Sequence, residues 1–326
     1  MGYCFRKGYP NDFVSYGIAK LPDFDYAWHK AKDFAESYPA LERFNGFVRR
    51  DEFGNLWGKM INDPSPQGEV LYGALEKWED LDSYVFPSLS DPRRFAHIEE
   101  GIRNNPDKFR MGVLPGFPFS IMRYMRKMEY FLADLLLEKD SVMRLNDIVV
   151  NELLKIIDNF ADAGIDALFF CEDWGTQDRL LINPVLWREL FKPSFKTLFN
   201  RIHSGNMYII MHSCGYIYDI LEDLIELGTN VFQFDQPTLM GVDRIASLFY
   251  KKAVLFSPVN IQTTLPTGDK ELIESEAKLL ADKFFHGGGF IAKDYGDYDT
   301  IQIKEEWVCW MRNAFINSGS PESEKQ

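Results

Sequence analysis

The sequence has few of the features that mark three common classes of protein. No window approaches the roughly 18 consecutive apolar residues that cross a bilayer, and no apolar signal core follows Arg6 and Lys7. The four cysteines have no paired spacing, which excludes a disulfide-stabilised miniprotein. Basic residues number 36 against 49 acidic ones, and the formal charge of −13 makes nucleic acid and anionic membranes poor partners. We therefore expect a cytoplasmic protein whose thiols are free or bind metal.

What the chain has is the composition of a large globular protein. Hydrophobic residues make up 46% and aromatic residues 15% of its 326 positions, enough for a sizeable core. This length suits either two domains or a single α/β barrel. The first hundred residues are irregular, with turn-rich pieces at 51–55 and 62–66 between short apolar runs. We interpret this part as a cap that leads into the main domain.

Short apolar runs alternate with helix-like segments from about residue 91 onward. Apart from Gln233, the runs are continuously rather than alternately apolar, which is typical of strands covered on both faces. Between two of them, residues 218–228 have helical spacing and end at a glycine, as a helix does at its C-cap. The pattern predicts an eight-stranded barrel with two strands still unassigned, or an open doubly wound sheet. The runs lie at 111–115, 167–170, 208–211, 231–234, 253–256 and 289–292.

Polar side chains follow these runs, at the strand ends where α/β proteins place their chemistry. His212 and Cys214 are two residues apart, so on extended chain both side chains point to one face and can hold one zinc ion. The alternative is a hydrogen-bonded histidine beside a small buried thiol. A catalytic zinc site would need a third ligand and would leave the fourth position open for substrate. The candidates for that third ligand are Cys171, Glu172, Asp173 and Asp294.

Other known catalytic patterns are missing. The glycines at 287–289 precede Asp294 and Tyr295, but no Gly-Lys-Ser/Thr follows them, so they do not form a phosphate-binding loop. The sequence also has no Gly-x-Gly-x-x-Gly after a strand and no Gly-x-Ser-x-Gly elbow. Dinucleotide binding and serine hydrolysis are therefore not predicted.

Several ordered motifs together resemble the uroporphyrinogen decarboxylase superfamily, which includes corrinoid-dependent methyltransferases and O-demethylase components. The resemblance runs from about residue 51 to 310 and implies a (β/α)₈ TIM barrel. We therefore expect residues 1–100 to be an N-terminal cap within the same domain and residues 101–326 to form the barrel. The motifs are DEFGNLW at 51–57, GIDALFFCEDWGTQ at 164–177, PVLWRE at 184–189 with KP at 192–193, HSCG at 212–215, QFDQP at 233–237 and GGFI at 288–291.

The chain departs from both branches of this superfamily. It lacks the arginine-rich N-terminal motif with which the decarboxylase branch pairs the carboxylates of its tetrapyrrole. It keeps the His-x-Cys pair with which the methyltransferase branch binds zinc, but the later cysteine of that branch is replaced by the segment 293–297. We expect Asp294, in that segment, to serve as the third ligand through a carboxylate oxygen.

The resemblance implies a methyltransferase that moves a methyl group between a small thiol or methyl ether and a separate corrinoid protein. Zinc at His212 and Cys214 would polarise the substrate heteroatom, and Glu172 would protonate the leaving oxygen of an ether. The alternatives are a metal-free decarboxylase, with Asp173 or Asp235 stabilising a protonated intermediate, and a barrel that only binds a small molecule. The catalytic candidates are Glu172, Asp173, Asp235 and Tyr295. The candidates for substrate contacts are Phe117, Trp174, Gln177, Gln236, Asn260 and Gln262.

Overall fold

The computed structural model describes residues 1–6, 8–64, 67–285, 289–296, 298 and 300–319. The chain forms two compact units, one made of residues 1–17, 96–116 and 157–326 and the other of residues 18–95 and 117–156. Numbered in chain order, the strands are β1 Gly2–Cys4, β2 Phe13–Tyr16, β3 His29–Lys30, β4 Gly46–Arg50, β5 Leu56–Met60, β6 Glu69–Tyr72, β7 Phe109–Val113, β8 Ala167–Cys171, β9 Tyr208–His212, β10 Val231–Gln233, β11 Val254–Ser257 and β12 Phe290–Lys293.

The helices are numbered in the same way. They are α1 His97–Asn104, α2 Pro118–Arg126, α3 Met128–Leu137, α4 Lys139–Asp162, α5 Pro184–Leu190, α6 Lys192–Ser204, α7 Tyr218–Glu226, α8 Val242–Phe249, α9 Lys270–Phe284 and α10 Glu305–Ser318. Among the described residues, no helix combines the length and the apolarity that a membrane crossing requires.

The first unit contains an eight-stranded parallel sheet in the order β1-β12-β11-β10-β9-β8-β7-β2. Its two edge strands meet through Tyr3 and Asp12, since the backbone N of Asp12 donates to Tyr3 O and Tyr3 N donates to Asp12 Oδ2, both at 2.7 Å. The sheet therefore closes almost completely into a (β/α)₈ barrel. This confirms the predicted fold class and excludes the open doubly wound sheet.

All six predicted strands are present, as β7 to β12. The two that completed the barrel, β1 and β2, lie within the stretch 1–100 that we assigned to the cap. The barrel strands thus begin well before residue 101, and the second unit takes its residues from two separate stretches of the chain.

The barrel strands are apolar on both faces, as the continuous runs predicted. Met111, Ala167, Ile210, Val231 and Phe256 form a shared cluster contributed by five strands. The alternate positions on β8 are also buried, and Phe170 packs against Phe199 of α6 with 5.9 Å between ring centroids. Because side chains two residues apart on a strand share a face, the positions that follow the shared cluster point to the same side at the carboxyl ends of the strands.

Local sequence explains where several helices begin and end. Asn183 accepts a hydrogen bond from Val185 N at 2.8 Å and precedes Pro184, a favourable pair at the start of α5. Asp269 caps α9 by accepting from Leu272 N at 3.1 Å. Helix α7 ends at Glu226, and Gly228 has φ 105°, which agrees with the predicted end of this helix at a glycine.

The second unit is built on the antiparallel sheet β3-β4-β5-β6. Arg126 at the end of α2 donates to the carbonyls of Leu75 and Glu76 at 2.7 and 2.8 Å and forms an ion pair with Asp134. Its guanidinium also stacks on the ring of Trp78 at 4.4 Å. This arginine therefore connects α2 with α3 and with the chain that follows β6.

Asp223 of α7 connects three helices of the barrel unit and gives a prediction that depends on pH. Its carboxylate accepts from Arg188 Nε on α5 at 2.9 Å and from Lys192 Nζ on α6 at 2.6 Å. Burial raises the pKa of Asp223, but the hydrogen bonds to Arg188 and Lys192 outweigh burial and lower it. We expect Asp223→Asn to reduce the free energy of unfolding at pH 7 by about 1.5–3 kcal/mol, the range for hydrogen bonds to charged groups.

Because the folded pKa lies below that of an unfolded aspartate, about 3.9, the stabilisation is present above that pH and is lost as the pH falls through the folded value. The difference in unfolding free energy between the wild type and Asp223→Asn, measured by urea denaturation, should therefore be the same at pH 7 and pH 5. It should be smaller below pH 4. The control is Asp243→Asn, which removes an exposed pair with Lys283 and should cost less than about 1 kcal/mol. A difference that stays constant on acidification would contradict a charge-dependent role for Asp223.

Candidate metal centre

Strand register brings three inward positions together at the carboxyl ends of β8, β9 and β10. Cys171 pairs with His212, and His212 pairs with Gln233. Each lies an even number of residues after Ala167, Ile210 or Val231 of the barrel cluster, so all three side chains point to the same side. The register therefore places the imidazole of His212 between a thiol and an amide.

Asp173, His212 and Cys214 can supply a carboxylate oxygen, an imidazole nitrogen and a thiolate sulfur within 4.8 Å of one another. His212 Nε2 lies 3.3 Å from Cys214 Sγ and 3.4 Å from Asp173 Oδ1. Ligand atoms bound tetrahedrally to zinc at about 2.0–2.3 Å are separated by about 3.3–3.8 Å. Carboxylate and thiolate together also carry the two negative charges that balance Zn²⁺. The geometry and chemistry of these three residues thus fit a zinc ion with one position open.

Backbone contacts hold the two loops that carry these ligands. Cys214 N donates to Asp173 Oδ1 at 2.8 Å, and Trp174 N donates to Ser213 Oγ at 3.2 Å. Gly215 has φ 77°, and a Cβ there would lie 2.4 Å from the carbonyl oxygen of Gly175. Only glycine allows this approach, so the HSCG motif packs directly on the segment that carries Asp173.

The electrostatics of this site are dominated by alternating charges. Burial lowers the pKa of His212, but its hydrogen bonds to Asp173 and Cys214 and the charge of Asp235 outweigh burial and raise it well above the ordinary value. For Asp235, burial raises the pKa, but the positive charges of Lys293 and His212 lower it overall. Lys293 Nζ lies 3.0 Å from Asp235 Oδ1. At neutral pH, Asp235 is therefore an ionised, buried carboxylate paired with Lys293.

Asp294 does not join this group, although the sequence made it our third ligand. Arg312 of α10 donates from Nε to Asp294 Oδ1 at 2.9 Å and from Nη2 to Oδ2 at 2.6 Å. The backbone N of Arg6 also donates to Oδ2, at 3.0 Å. Both carboxylate oxygens are thus engaged in a buried ion pair, and Asp173 is the carboxylate that lies near His212 and Cys214.

Several other predicted residues have mainly structural contacts. Trp174 is fully buried and packs edge-on against Trp187 and Phe191, with ring centroids 6.2 and 4.9 Å away. Gln236 accepts from Gly215 N at 3.0 Å and so supports the HSCG loop. Asn260 accepts from Gln262 N at 2.9 Å and closes its own loop.

The remaining predicted residues are spread over different environments. Glu172 is fully buried, and its backbone N donates to His212 O at 2.9 Å. Tyr295 is half-buried, whereas Gln177 and Gln262 are exposed. Phe117 belongs to the second unit, where its backbone N donates to Ser120 Oγ at the start of α2. Gly287, Gly288 and Asp297 lie outside the described residues.

Sequence reasoning did not single out Gln233 and Lys293. Gln233 Oε1 lies 2.5 Å from His212 Nδ1, and Gln233 Nε2 donates to Asp235 Oδ1 at 2.9 Å. A glutamine inside the otherwise apolar run 231–234 is the signal that could have identified it, because a buried amide needs polar partners.

Comparisons with known proteins agree with this architecture. A family model described as Uroporphyrinogen decarboxylase (URO-D) matches residues 75–293. A methyltransferase from Methanosarcina mazei has a similar structure, with a TM-score of 0.63 and 16% identity over 95% of this chain and 81% of that one. The 3-keto-D-glucoside 4-epimerase YcjR from E. coli is less similar, with a TM-score of 0.43 and 12% identity over 74% of this chain and 96% of that one. No curated protein sequence matches the chain.

Proposed function

The chain belongs to the uroporphyrinogen decarboxylase family, and from that premise we propose that it is a metal-assisted methyltransferase acting on a small thiol. The observation that carries the proposal is the convergence of Asp173, His212 and Cys214 at the carboxyl ends of the barrel strands. Three ligands with an open fourth position are the usual arrangement of a catalytic zinc site. The structural similarity to a methyltransferase agrees with this choice within the family.

Asp173, His212 and Cys214 would hold the ion. A zinc ion bound there supplies a Lewis acid that favours the thiolate form of a thiol substrate at neutral pH. The protein's own residues orient two of the three ligands: the backbone amide of Cys214 fixes the Asp173 carboxylate, and Gln233 fixes the imidazole of His212. The methyl donor is proposed to be a corrinoid carried by a separate protein.

A thiol acceptor suits this site better than a methyl ether. Cleavage of an ether needs an acid that protonates the leaving oxygen. Glu172, the acid we predicted for that step, is fully buried, with its backbone N bonded to the carbonyl of His212. In thiol methylation the sulfur–carbon bond forms as the cobalt–carbon bond breaks, and the bonding electron pair stays on cobalt, so no such acid is required.

The test is methyl transfer from free methylcob(III)alamin to a panel of small thiols, followed by the absorbance change that accompanies formation of cob(I)alamin under anaerobic conditions. We expect turnover with the zinc-loaded protein, its loss on treatment with a chelator and its recovery on adding zinc. Equal rates with and without metal would contradict the proposal. Metal-independent release of CO₂ from a small carboxylic acid would favour the decarboxylase alternative.

A further inference from the structure

Behind the candidate ligands, four buried or mostly buried side chains form a continuous hydrogen-bonded series. Lys293 Nζ lies 3.0 Å from Asp235 Oδ1, Gln233 Nε2 donates to the same oxygen at 2.9 Å, and Gln233 Oε1 lies 2.5 Å from His212 Nδ1. Only 3% of Gln233, 6% of Asp235 and 8% of His212 is exposed, so solvent cannot replace these partners. We propose that Lys293, Asp235 and Gln233 are positioning residues that keep a proton on His212 Nδ1 and point Nε2 toward Asp173 and Cys214, so that Nε2 is the nitrogen available to a metal ion.

The orientation of the Gln233 amide follows from the charge of Asp235. An ionised carboxylate only accepts hydrogen bonds, so the amide group that contacts Asp235 is the NH₂. The amide oxygen then faces His212, and because an oxygen of this kind only accepts, the ring must donate from Nδ1. The reversed amide would set two acceptors against each other in a buried place, which is unfavourable.

Lys293 completes the series by compensating the charge of Asp235. A buried carboxylate without a nearby cation is strongly destabilised and tends to take up a proton. A protonated Asp235 could donate a hydrogen bond, and the NH₂ of Gln233 would no longer be its required partner. With 17% of its side chain exposed, Lys293 still reaches Asp235 and supplies that cation. It acts on His212 only through Asp235 and Gln233.

The register and order of the strands bring these four residues together. Gln233 is the register partner of His212 in the β9–β10 pair, so the two side chains are neighbours on one face of the sheet. Asp235 follows Gln233 by two residues. Lys293 is the last residue of β12. The order of the strands therefore brings the lysine, the carboxylate and the amide to the histidine.

The inference rests on the proposed metal site, and its test begins with zinc affinity measured by competition with a chromophoric chelator. Loss of an outer partner of a metal ligand lowers metal affinity by about 10–100-fold, and we expect a decrease of that size in Gln233→Met and in Lys293→Met. Lys192→Met is the matched control, because it removes another lysine–aspartate pair at 2.6 Å, outside the series, and should leave zinc affinity unchanged. Wild-type affinity in both Gln233→Met and Lys293→Met would overturn the inference.

A second measurement reads the hydrogen bond from His212 Nδ1 to Gln233 directly and does not require metal. In protein labelled with ¹⁵N-histidine, the Nδ1–H signal of His212 should show a hydrogen bond to the Gln233 amide oxygen both with and without zinc, and this signal should shift or vanish in Gln233→Met. His212→Asn identifies the resonance. An unprotonated Nδ1 in the wild type would overturn the inference even if no zinc binds. Absence of zinc from a wild type whose Nδ1 signal depends on Gln233 would refute the proposed function and leave the positioning role supported.

Discussion

Replacing either His212 or Cys214 with alanine is expected to lower zinc affinity by more than about 100-fold and to abolish methyl transfer. The size follows from the role of a direct ligand, since loss of an outer partner alone lowers metal affinity by about 10–100-fold. Removing His212 Nε2 or Cys214 Sγ leaves two of the three ligand atoms that lie within 4.8 Å of one another. Elemental analysis of untagged protein, combined with chelator competition, measures the effect.

Cys171→Ala is the matched control for this experiment. Cys171 is an exposed thiol whose strand position pairs with His212, but it does not belong to the group of three candidate ligands. Its removal should leave one zinc per chain, as should Asp294→Asn. Retention of zinc in Cys214→Ala together with its loss in Cys171→Ala would show that the wrong thiol has been assigned.

The largest effect on stability is expected from Asp294→Ala, which should lower the free energy of unfolding by about 3–5 kcal/mol. The side chains of Arg312 and Asp294 are 0% and 2% exposed, so the substitution leaves a buried guanidinium with much of its charge uncompensated. Among the described residues, Arg312 would keep its contacts with Glu305, Tyr298 and the ring of Tyr9. Urea denaturation at pH 7 measures the change.

Two comparisons separate this effect from a general cost of losing an ion pair. Glu99→Ala removes an exposed pair with Arg103 on α1 and should cost at most about 0.5 kcal/mol. Replacing both partners, as in Asp294→Leu with Arg312→Met, should recover a substantial part of the loss because no buried charge remains. A loss below 1 kcal/mol in Asp294→Ala would contradict a structural role for this pair.

Six barrel strands were predictable from the sequence pattern because parallel strands are buried on both faces, whereas the choice of a barrel over an open sheet came from the family resemblance. Such strands appear as continuous apolar runs, and all six runs became strands of the barrel. β1 and β2 were not predicted because they have only three and four residues, GYC and FVSY, which are too short for a pattern. The two-part origin of the second unit depends on contacts between residues far apart in sequence, and local patterns do not contain that information.

The site residues were predictable only where the candidate ligands lie close together in one stretch of the sequence. His212 and Cys214 are two residues apart, and their shared role could be inferred from that spacing. The choice between Asp173 and Asp294 could not, because it depends on Arg312, a residue 18 positions beyond Asp294 on another element. An aromatic residue after a strand suits substrate stacking, which is why we predicted that role for Trp174, and the structure packs Trp174 against Trp187 and Phe191 in the core.

Pairing of β1 with β12 has a consequence for how the protein folds during synthesis. Gly2 aligns with Ile291, so this contact joins residues almost at opposite ends of the barrel unit. At about 5–20 residues per second, a ribosome needs about 15–60 s to make the intervening chain. Until β12 emerges, β1 has no parallel neighbour on that side, and the strand made most recently, from β7 up to β11, has an open edge. The nascent barrel therefore exposes two unpaired strand edges throughout most of its synthesis, the kind of surface that chaperones protect from aggregation.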